Sequence, residues 1–248
     1  MSQSRPAPTA AQSEESRAAK RESTLELAAT LYTREQLREA LAGMGETPQI
    51  ALAGRSNVGK SSLLNALARR RQLARVSSTP GKTRSINLFR VVPEGFYITD
   101  LPGYGYARRG KAERRAWGEL IGDYLTGTPQ LKAVVVLLDC RLPPQQADRD
   151  MVSFALSRNL PVLAVLTKAD KCNQRERAAR QAEWGEIVGV KPVITSSSKR
   201  MGMDALWQRL IEASGCAPVI LEEEPAQPVT ASLAEALART TAETEEKA

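Results

Sequence analysis

From Pro48 onward, short apolar runs alternate with longer stretches in which apolar residues recur every three or four positions. QIALAG, residues 49–54, is a compact apolar run closed by glycine, and KSSLLNALARR after it has helical spacing. INLFRVV and FYITD read as two strands joined through Pro93 and Gly95. LKAVVVLLD is apolar almost throughout, which marks a strand covered on both faces. PVLAVLTK and KPVITS repeat that character. KAERRAWGELIGDYLTG, residues 145–158, QRERAARQAEWGEI and MDALWQRLIEASG have helical periodicity. This alternation predicts a doubly wound α/β fold with six strands, mostly parallel, and helices on both faces. One antiparallel edge strand is expected, from the INLFRVV–FYITD hairpin.

Ahead of Pro48, LELAATLYTREQLREALAG has helical spacing in part and ends at Gly43, which predicts a short helical lead-in. Residues 1–23 read as a disordered tail. The acidic, Pro/Ala-rich stretch 218–248 reads as another, leaving one folded unit at 24–217.

Composition narrows the chemistry. Among the 248 residues there is no histidine, so histidine bases, Ser–His pairs and histidine metal sites are excluded. Cys140, Cys172 and Cys216 have no CxxC spacing and predict neither a disulfide framework nor a zinc site. The N-terminal residues lack the apolar stretch of a signal peptide, and no run is long enough to cross a bilayer. A cytoplasmic protein without a membrane partner is the expectation. Net charge is +7 and uneven: seven acids and two bases follow Pro218, leaving 33 bases and 21 acids before it. Twelve of those bases lie between Arg69 and Arg115, among them Lys82, Arg84, Arg108 and Arg109. Such clustering points to a polyanionic partner.

GRSNVGKS, Gly54–Ser61, has the G-x-x-x-x-G-K-[ST] spacing of a phosphate loop. Its backbone N–H groups and the following helix N-terminus would face phosphate oxygens. Lys60 would reach the β- and γ-phosphates, and the Ser61 hydroxyl would ligate magnesium. TDLPG, at the end of FYITD, supplies Asp100 on the magnesium side and the Gly103 N–H for a γ-phosphate. TKAD, Thr167–Asp170, ends another strand. There the Asp170 carboxylate would accept hydrogen bonds from the guanine N1–H and exocyclic amine, which adenine lacks on that edge. TSSS, Thr195–Ser198, would present N–H groups to the guanine carbonyl.

Taken together, GRSNVGKSSLLNAL, SSTPGKTRSIN, TDLPGYGYA, TKAD and the TSS turn resemble the EngB-type ribosome-biogenesis GTPases, in the TrmE–Era-like branch of P-loop GTPases. The resemblance covers about residues 45–215 and implies a Ras-like P-loop G domain. It implies binding of GTP and GDP with Mg2+, GTP hydrolysis, and a part in assembly of the large ribosomal subunit. Carried over motif by motif, it places nucleotide contacts at Gly54, Arg55, Ser56, Asn57, Val58, Gly59, Lys60 and Ser61. In PGKTRS it places them at Gly81, Lys82, Thr83, Arg84 and Ser85, and after FYIT at Asp100, Leu101, Pro102 and Gly103. On the base side they fall on Thr167, Lys168, Ala169, Asp170, Thr195, Ser196 and Ser197. Metal contacts fall on Ser61, Thr83 and Asp100. Thr79 competes for the switch threonine on sequence alone; the family pattern places it at Thr83, which would release after hydrolysis.

The position after Gly103, a water-orienting glutamine in Ras-like proteins, is Tyr104. Three substitutes are open. The first is a potassium ion held by Asn57, as the resemblance to cation-dependent GTPases implies, acting with Lys60 and Thr83 in catalysis. The others are an internal arginine (Arg84, Arg108 or Arg109) and a group supplied by a partner. Asn57 has a plainer explanation in loop geometry, since asparagine tolerates positive φ. Slow GTP hydrolysis by a monomer that docks its basic face on ribosomal RNA is the leading expectation. A P-loop kinase or ATPase acting on a small molecule is the alternative.

Overall fold

The computed structural model describes residues 23–74, 85–104 and 111–216, with backbone only for 111–117. These residues belong to one compact unit, Glu22–Val219. Apart from Ser23, both expected tails lie outside the described residues.

Strand β1 (Thr24–Leu31) and helix α1 (Arg34–Gly43) come first. They are followed by β2 (Gln49–Gly54), α2 (Lys60–Leu67), β3 (Ile86–Val92) and β4 (Tyr97–Asp100). Next come α3 (Lys111–Gly127), β5 (Leu131–Asp139), α4 (Gln146–Ser157) and β6 (Val162–Thr167). A short 3₁₀ turn (Ala169–Lys171), α5 (Gln174–Val188), β7 (Val193–Ile194) and α6 (Met203–Ser214) complete the unit. The sheet order is β1-β3-β4-β2-β5-β6-β7. β3 runs antiparallel to both its neighbours, and β4 through β7 are mutually parallel.

The period-2 alternation of the central strands decides which helices cover which face. Ala51, Ala53, Val134, Val136 and Leu138 point to a core closed by α1, α3, α4 and α5, through Leu37, Tyr124, Val152 and Trp184. Ile50, Leu52, Val135 and Leu137 point to the other side, where Leu63, Leu64 and Leu67 of α2 and Leu206 and Leu210 of α6 meet them.

The mostly parallel α/β architecture is as expected, but the sheet has seven strands rather than six. The seventh, β1, comes from the segment read as helical. Only its second half, REQLREALAG, is a helix, started by a capping box in which Thr33 and Gln36 bond each other's backbone N–H. Residues 24–31 instead form the sheet edge against β3. A bulge between Leu27 and Ala29 shifts the register there. Leu25, opposite Val91, therefore joins one core, whereas Leu31, opposite Ile86, joins the other. A bulge turns the later side chains to the opposite face, so no single strand period runs through the segment.

Cys140 is buried, as expected for the end of an interior strand; Cys172, which its place beside TKAD suggested would be exposed, is buried as well. Burial and the neighbouring Cys172 thiol push the Cys140 thiol up to about 12, so it stays protonated at neutral pH.

The loop between β7 and α6 depends on Gly202. It has φ +73°, and a Cβ there would stand 2.0 Å from the Ile194 carbonyl oxygen. Gly202→Ala is expected to lose on the order of 2 kcal/mol or more in urea unfolding, because strain and a backbone clash add.

Candidate functional site

Because β2, β4, β5 and β6 are parallel, their C-terminal ends open at one edge of the sheet, where ligands of such folds bind. The phosphate loop follows β2, TDLPG lies at the end of β4 and TKAD at the end of β6, while TSSS follows the next parallel strand, β7.

Gly54 ends β2, and the loop doubles back over it. A Cβ at Gly54 would lie 2.9 Å from Val58 Cγ1 and 3.1 Å from Leu137 Cβ. Val58 N–H donates to Arg55 O (3.1 Å), and Val58 is buried as the loop's apolar anchor. The turn needs two left-handed residues, Asn57 at φ +63° and Gly59 at φ +110°. Gly59 starts α2 with no side-chain cap. Ser61 sits in the first turn of that helix.

Lys60 is buried, and its ammonium pairs with Asp100 Oδ1 at the end of β4. Asn87 Nδ2, on β3, donates to Asp100 Oδ2 at 3.3 Å. Magnesium takes hard oxygen donors, and Ser61 and Asp100 are of that kind. Asp100 already holds a cationic group, the Lys60 ammonium. Ser61 and Asp100 thus have the donor chemistry that fits a Mg2+ ion.

Beyond Asp100 the chain continues to zip onto the phosphate loop. Leu101 N–H donates to Leu52 O (3.0 Å), Tyr104 N–H to Gly54 O (3.2 Å), and Ser56 N–H to Tyr104 O (2.9 Å). Gly103 suits this close approach, because a Cβ there would lie a tight 3.1 Å from Ser56 N and Cα. Leu101 and Pro102 are buried.

Tyr104 turns away from the loop. It is 7% exposed, and its hydroxyl donates to Asp148 Oδ1 on α4 at 2.9 Å. Burial and the adjacent Asp148 raise the phenol's pKa, so it remains a neutral donor. Burial likewise raises Asp148, while the phenol and Arg55 act against that rise.

At the base end, Thr167 is buried and its hydroxyl lies 2.7 Å from Val58 O and 3.1 Å from Leu138 O. A hydroxyl has one proton and can serve one of these carbonyls at a time. Lys168, at φ +56°, reaches Asn57 O (2.6 Å) and Asp139 Oδ2 (2.8 Å). Ser196, fully buried, donates to Asp170 Oδ1 at 2.6 Å, and this bond lowers the Asp170 pKa. Thr195 spends its hydroxyl on Leu166 O (3.0 Å), and Ala169 is buried with its N–H on Thr195 O. Ser197 follows, partly exposed.

The structure thus brings together the Gly54–Ser61, Asp100–Gly103, Thr167–Asp170 and Thr195–Ser197 groups. Ser85 is buried just before β3. Gly81, Lys82, Thr83 and Arg84 lie outside the described residues, as do Thr79, Arg108 and Arg109. Asn87, Asp139, Arg141 and Asp148 were not singled out from sequence. Asp139 carried a signal: it is the first charge after an apolar run that borders the phosphate-loop strand.

Residues 49–168 match the family model described as 50S ribosome-binding GTPase. The chain is 60% identical over 192 residues to a probable GTP-binding protein EngB of Desulfovibrio desulfuricans, covering 77% of this chain and 93% of that one. This chain belongs to the EngB family of GTP-binding proteins. A second EngB relative, from Nitratidesulfovibrio vulgaris, is 57% identical over 189 residues, covering 76% and 85% of the two chains. Among solved structures, a probable GTP-binding protein EngB aligns with TM-score 0.57 at 21% identity, over 67% of this chain and 98% of that one. A tyrosine-to-alanine variant of Aquifex aeolicus Era, bound to GDP·AlF4−, aligns with TM-score 0.57 at 22% identity, over 73% and 60%. At those identities the two structures establish the G-domain fold. As an EngB-family member the protein is a P-loop GTPase that binds GTP and GDP.

Tyr104→Phe removes the donor from a buried carboxylate. Thermal or urea unfolding is expected to show a loss of about 1–3 kcal/mol. Because the phenol faces Asp148, single-turnover GTP hydrolysis should change less than about threefold, against the hundredfold or more expected for loss of a transition-state donor.

Proposed function

We propose that this EngB-family GTPase is a nucleotide-gated assembly factor for the large ribosomal subunit, with slow, Mg2+-dependent and monovalent-cation-assisted hydrolysis. The observation that carries the reading is the backbone ladder between Leu101–Tyr104 and the phosphate loop. It couples the segment that would sense a γ-phosphate directly to the loop that would hold the β-phosphate. The family model's description as 50S ribosome-binding supports the choice of partner. The cluster of bases between Arg69 and Arg115 supports contact with RNA phosphates, although most of its members lie outside the described residues.

In this reading the Lys60 ammonium leaves Asp100 for the β- and γ-phosphate oxygens. Ser61 and Asp100 are then free to hold the metal, with Thr83 joining in the triphosphate state. Magnesium, when bound, neutralises charge on the phosphate oxygens. Asp170, held by Ser196, accepts from the guanine edge. The order of events gives the gate: a γ-phosphate contacted by Gly103 N–H competes with the Gly103–Ser56 packing.

Tyr104 has no part in orienting water in this geometry, so one of the three substitutes must act, and the cation is the one proposed here. Asn57 is its candidate ligand, although φ +63° already accounts for an asparagine at this position. Single-turnover hydrolysis is expected to run about tenfold faster in potassium than in sodium, roughly 1.4 kcal/mol of barrier, with Asn57→Ala abolishing the difference. Equal rates in both salts would remove the cation from the mechanism.

The ribosomal role is tested by co-sedimentation with purified large subunits at two salt concentrations. Binding should be stronger with a non-hydrolysable GTP analogue than with GDP and should fall steeply with salt. Identical pelleting with either nucleotide or none would overturn the gate.

A further inference from the structure

Lys168 has an unusual dependence on polar partners. It borders a cavity of about 190 Å³ that Asp139, Arg141 and Asn57 also line, so apolar packing does not close around its ammonium. Hydrogen bonds must decide where that ammonium stands. One goes to the phosphate loop at Asn57 O (2.6 Å), and the other to Asp139 Oδ2 (2.8 Å). Asp139 is itself held rigidly. Arg141 Nε and N–H donate to Oδ1 (2.9 and 3.2 Å), and Arg141 Nη2 donates to Oδ2 (2.7 Å). A forked guanidinium grip of this kind fixes a carboxylate's orientation as well as its charge. Burial raises the Asp139 carboxyl, and the bonds from Arg141 and Lys168 more than offset this, holding it at about 2 and therefore ionised.

The second tie between the base loop and the phosphate loop is Thr167, whose single proton is shared between Val58 O and Leu138 O. An asparagine at that position would offer two amide protons, and the threonine offers one. The Lys168 bond to Asn57 O thus carries a larger share of the cross-link.

We propose that Asp139, oriented by Arg141, is a positioning residue for nucleotide retention: it anchors Lys168 so that the base loop and the phosphate loop stay at the spacing a guanine nucleotide must bridge. Without the carboxylate, the ammonium is free to turn to water, and the two halves of the site separate more easily. The effect falls on nucleotide release.

The inference rests on the guanine reading of Asp170, and the test separates the two. A fluorescent GDP analogue is loaded onto the full chain, and its dissociation is followed for wild type, Asp139→Ala, Asp139→Asn, Arg141→Ala, Lys168→Ala and Asp170→Asn. Asp139→Ala should raise the off-rate about tenfold, since most changes in related complexes appear in dissociation. Asp139→Asn, which keeps an acceptor oxygen, should give a smaller rise, and Arg141→Ala about threefold, through the loosened carboxylate. Asp139→Ala combined with Lys168→Ala should add little to Lys168→Ala alone. The off-rate should rise by a larger factor than the single-turnover hydrolysis rate falls, which a general loss of structure would not produce. If Asp139→Ala fails to fold, the near-isosteric Asp139→Asn carries the same comparison. An off-rate within twofold of wild type for both Asp139 variants, while Lys168→Ala is fast, overturns the proposal. Additive effects of the Asp139 and Lys168 changes would overturn it as well. Undiminished guanine preference in Asp170→Asn would instead undermine the reading beneath it.

Discussion

The parallel register around β2 governs everything at the nucleotide end of this molecule. Leu52 lies level with Asp100 on one side, and Gly54 with Leu137 on the other, while Asp139 pairs with Thr167 one strand further on. Those pairings place a lysine-bearing loop, a metal-side carboxylate and a base-reading loop at one height above the sheet. The site therefore does not need its loops to find one another. The apolar alternation of β2, β5 and β6 sets the register, because a one-residue slip would turn Ala51 and Ala53 into the wrong core and break the packing of both helix layers. Function and fold share a single constraint here.

Within that frame the described charges at the nucleotide end of the sheet compensate one another. Lys60 and Asp100 satisfy each other, Asp139 is shared between Arg141 and Lys168, and Asp148 takes the Tyr104 hydroxyl with Arg55 nearby. An unpaired buried ammonium or carboxylate costs several kcal/mol. Lys60 and Asp100 are the groups expected to bind phosphate and metal, so each holds the other's place. Binding a metal–phosphate complex exchanges one internally compensated arrangement for another and leaves no buried charge exposed along the way. That exchange makes a two-state response to a γ-phosphate physically reasonable.

Much of this was readable from the chain. β2, β3, α3 and β5 fall where their apolar periods place them, because each is a long stretch whose pattern and packing agree. The phosphate loop and TKAD were legible because tight backbone geometry and a carboxylate at a strand end need particular residue types. β1 was misread because its bulge splits Leu25 and Leu31 between two cores, leaving Leu- and Ala-rich sequence that imitates helix. Tyr104 was legible as a departure from a glutamine, but its destination was not. Nothing local in TDLPGYGYA announces that Asp148, 44 residues on, will accept its proton. Asp139 and Arg141 looked like the ordinary polar end of a strand. Their role depends on Lys168, which a second strand brings alongside.

The Tyr104 geometry also bears on the water-orienting role that a glutamine has at this position in Ras-like proteins. A water-orienting group must stand over the γ-phosphate without being held elsewhere, and Tyr104 is held by both its backbone and its side chain. Its N–H and C=O are spent on Gly54 and Ser56, and its hydroxyl on Asp148. Moving the phenol toward a phosphate would break three bonds and strip a donor from a buried carboxylate, for a hydroxyl that stays protonated at neutral pH. The residue that follows Gly103 therefore anchors the Leu101–Gly103 segment, and in the proposed reading charge stabilisation during hydrolysis comes from the phosphate-loop side, through Lys60 and a cation at Asn57. Under that proposal the two jobs that a glutamine-bearing switch combines fall on opposite sides of the phosphate: fixing the switch on Tyr104 and Asp148, and assisting the chemistry on the loop.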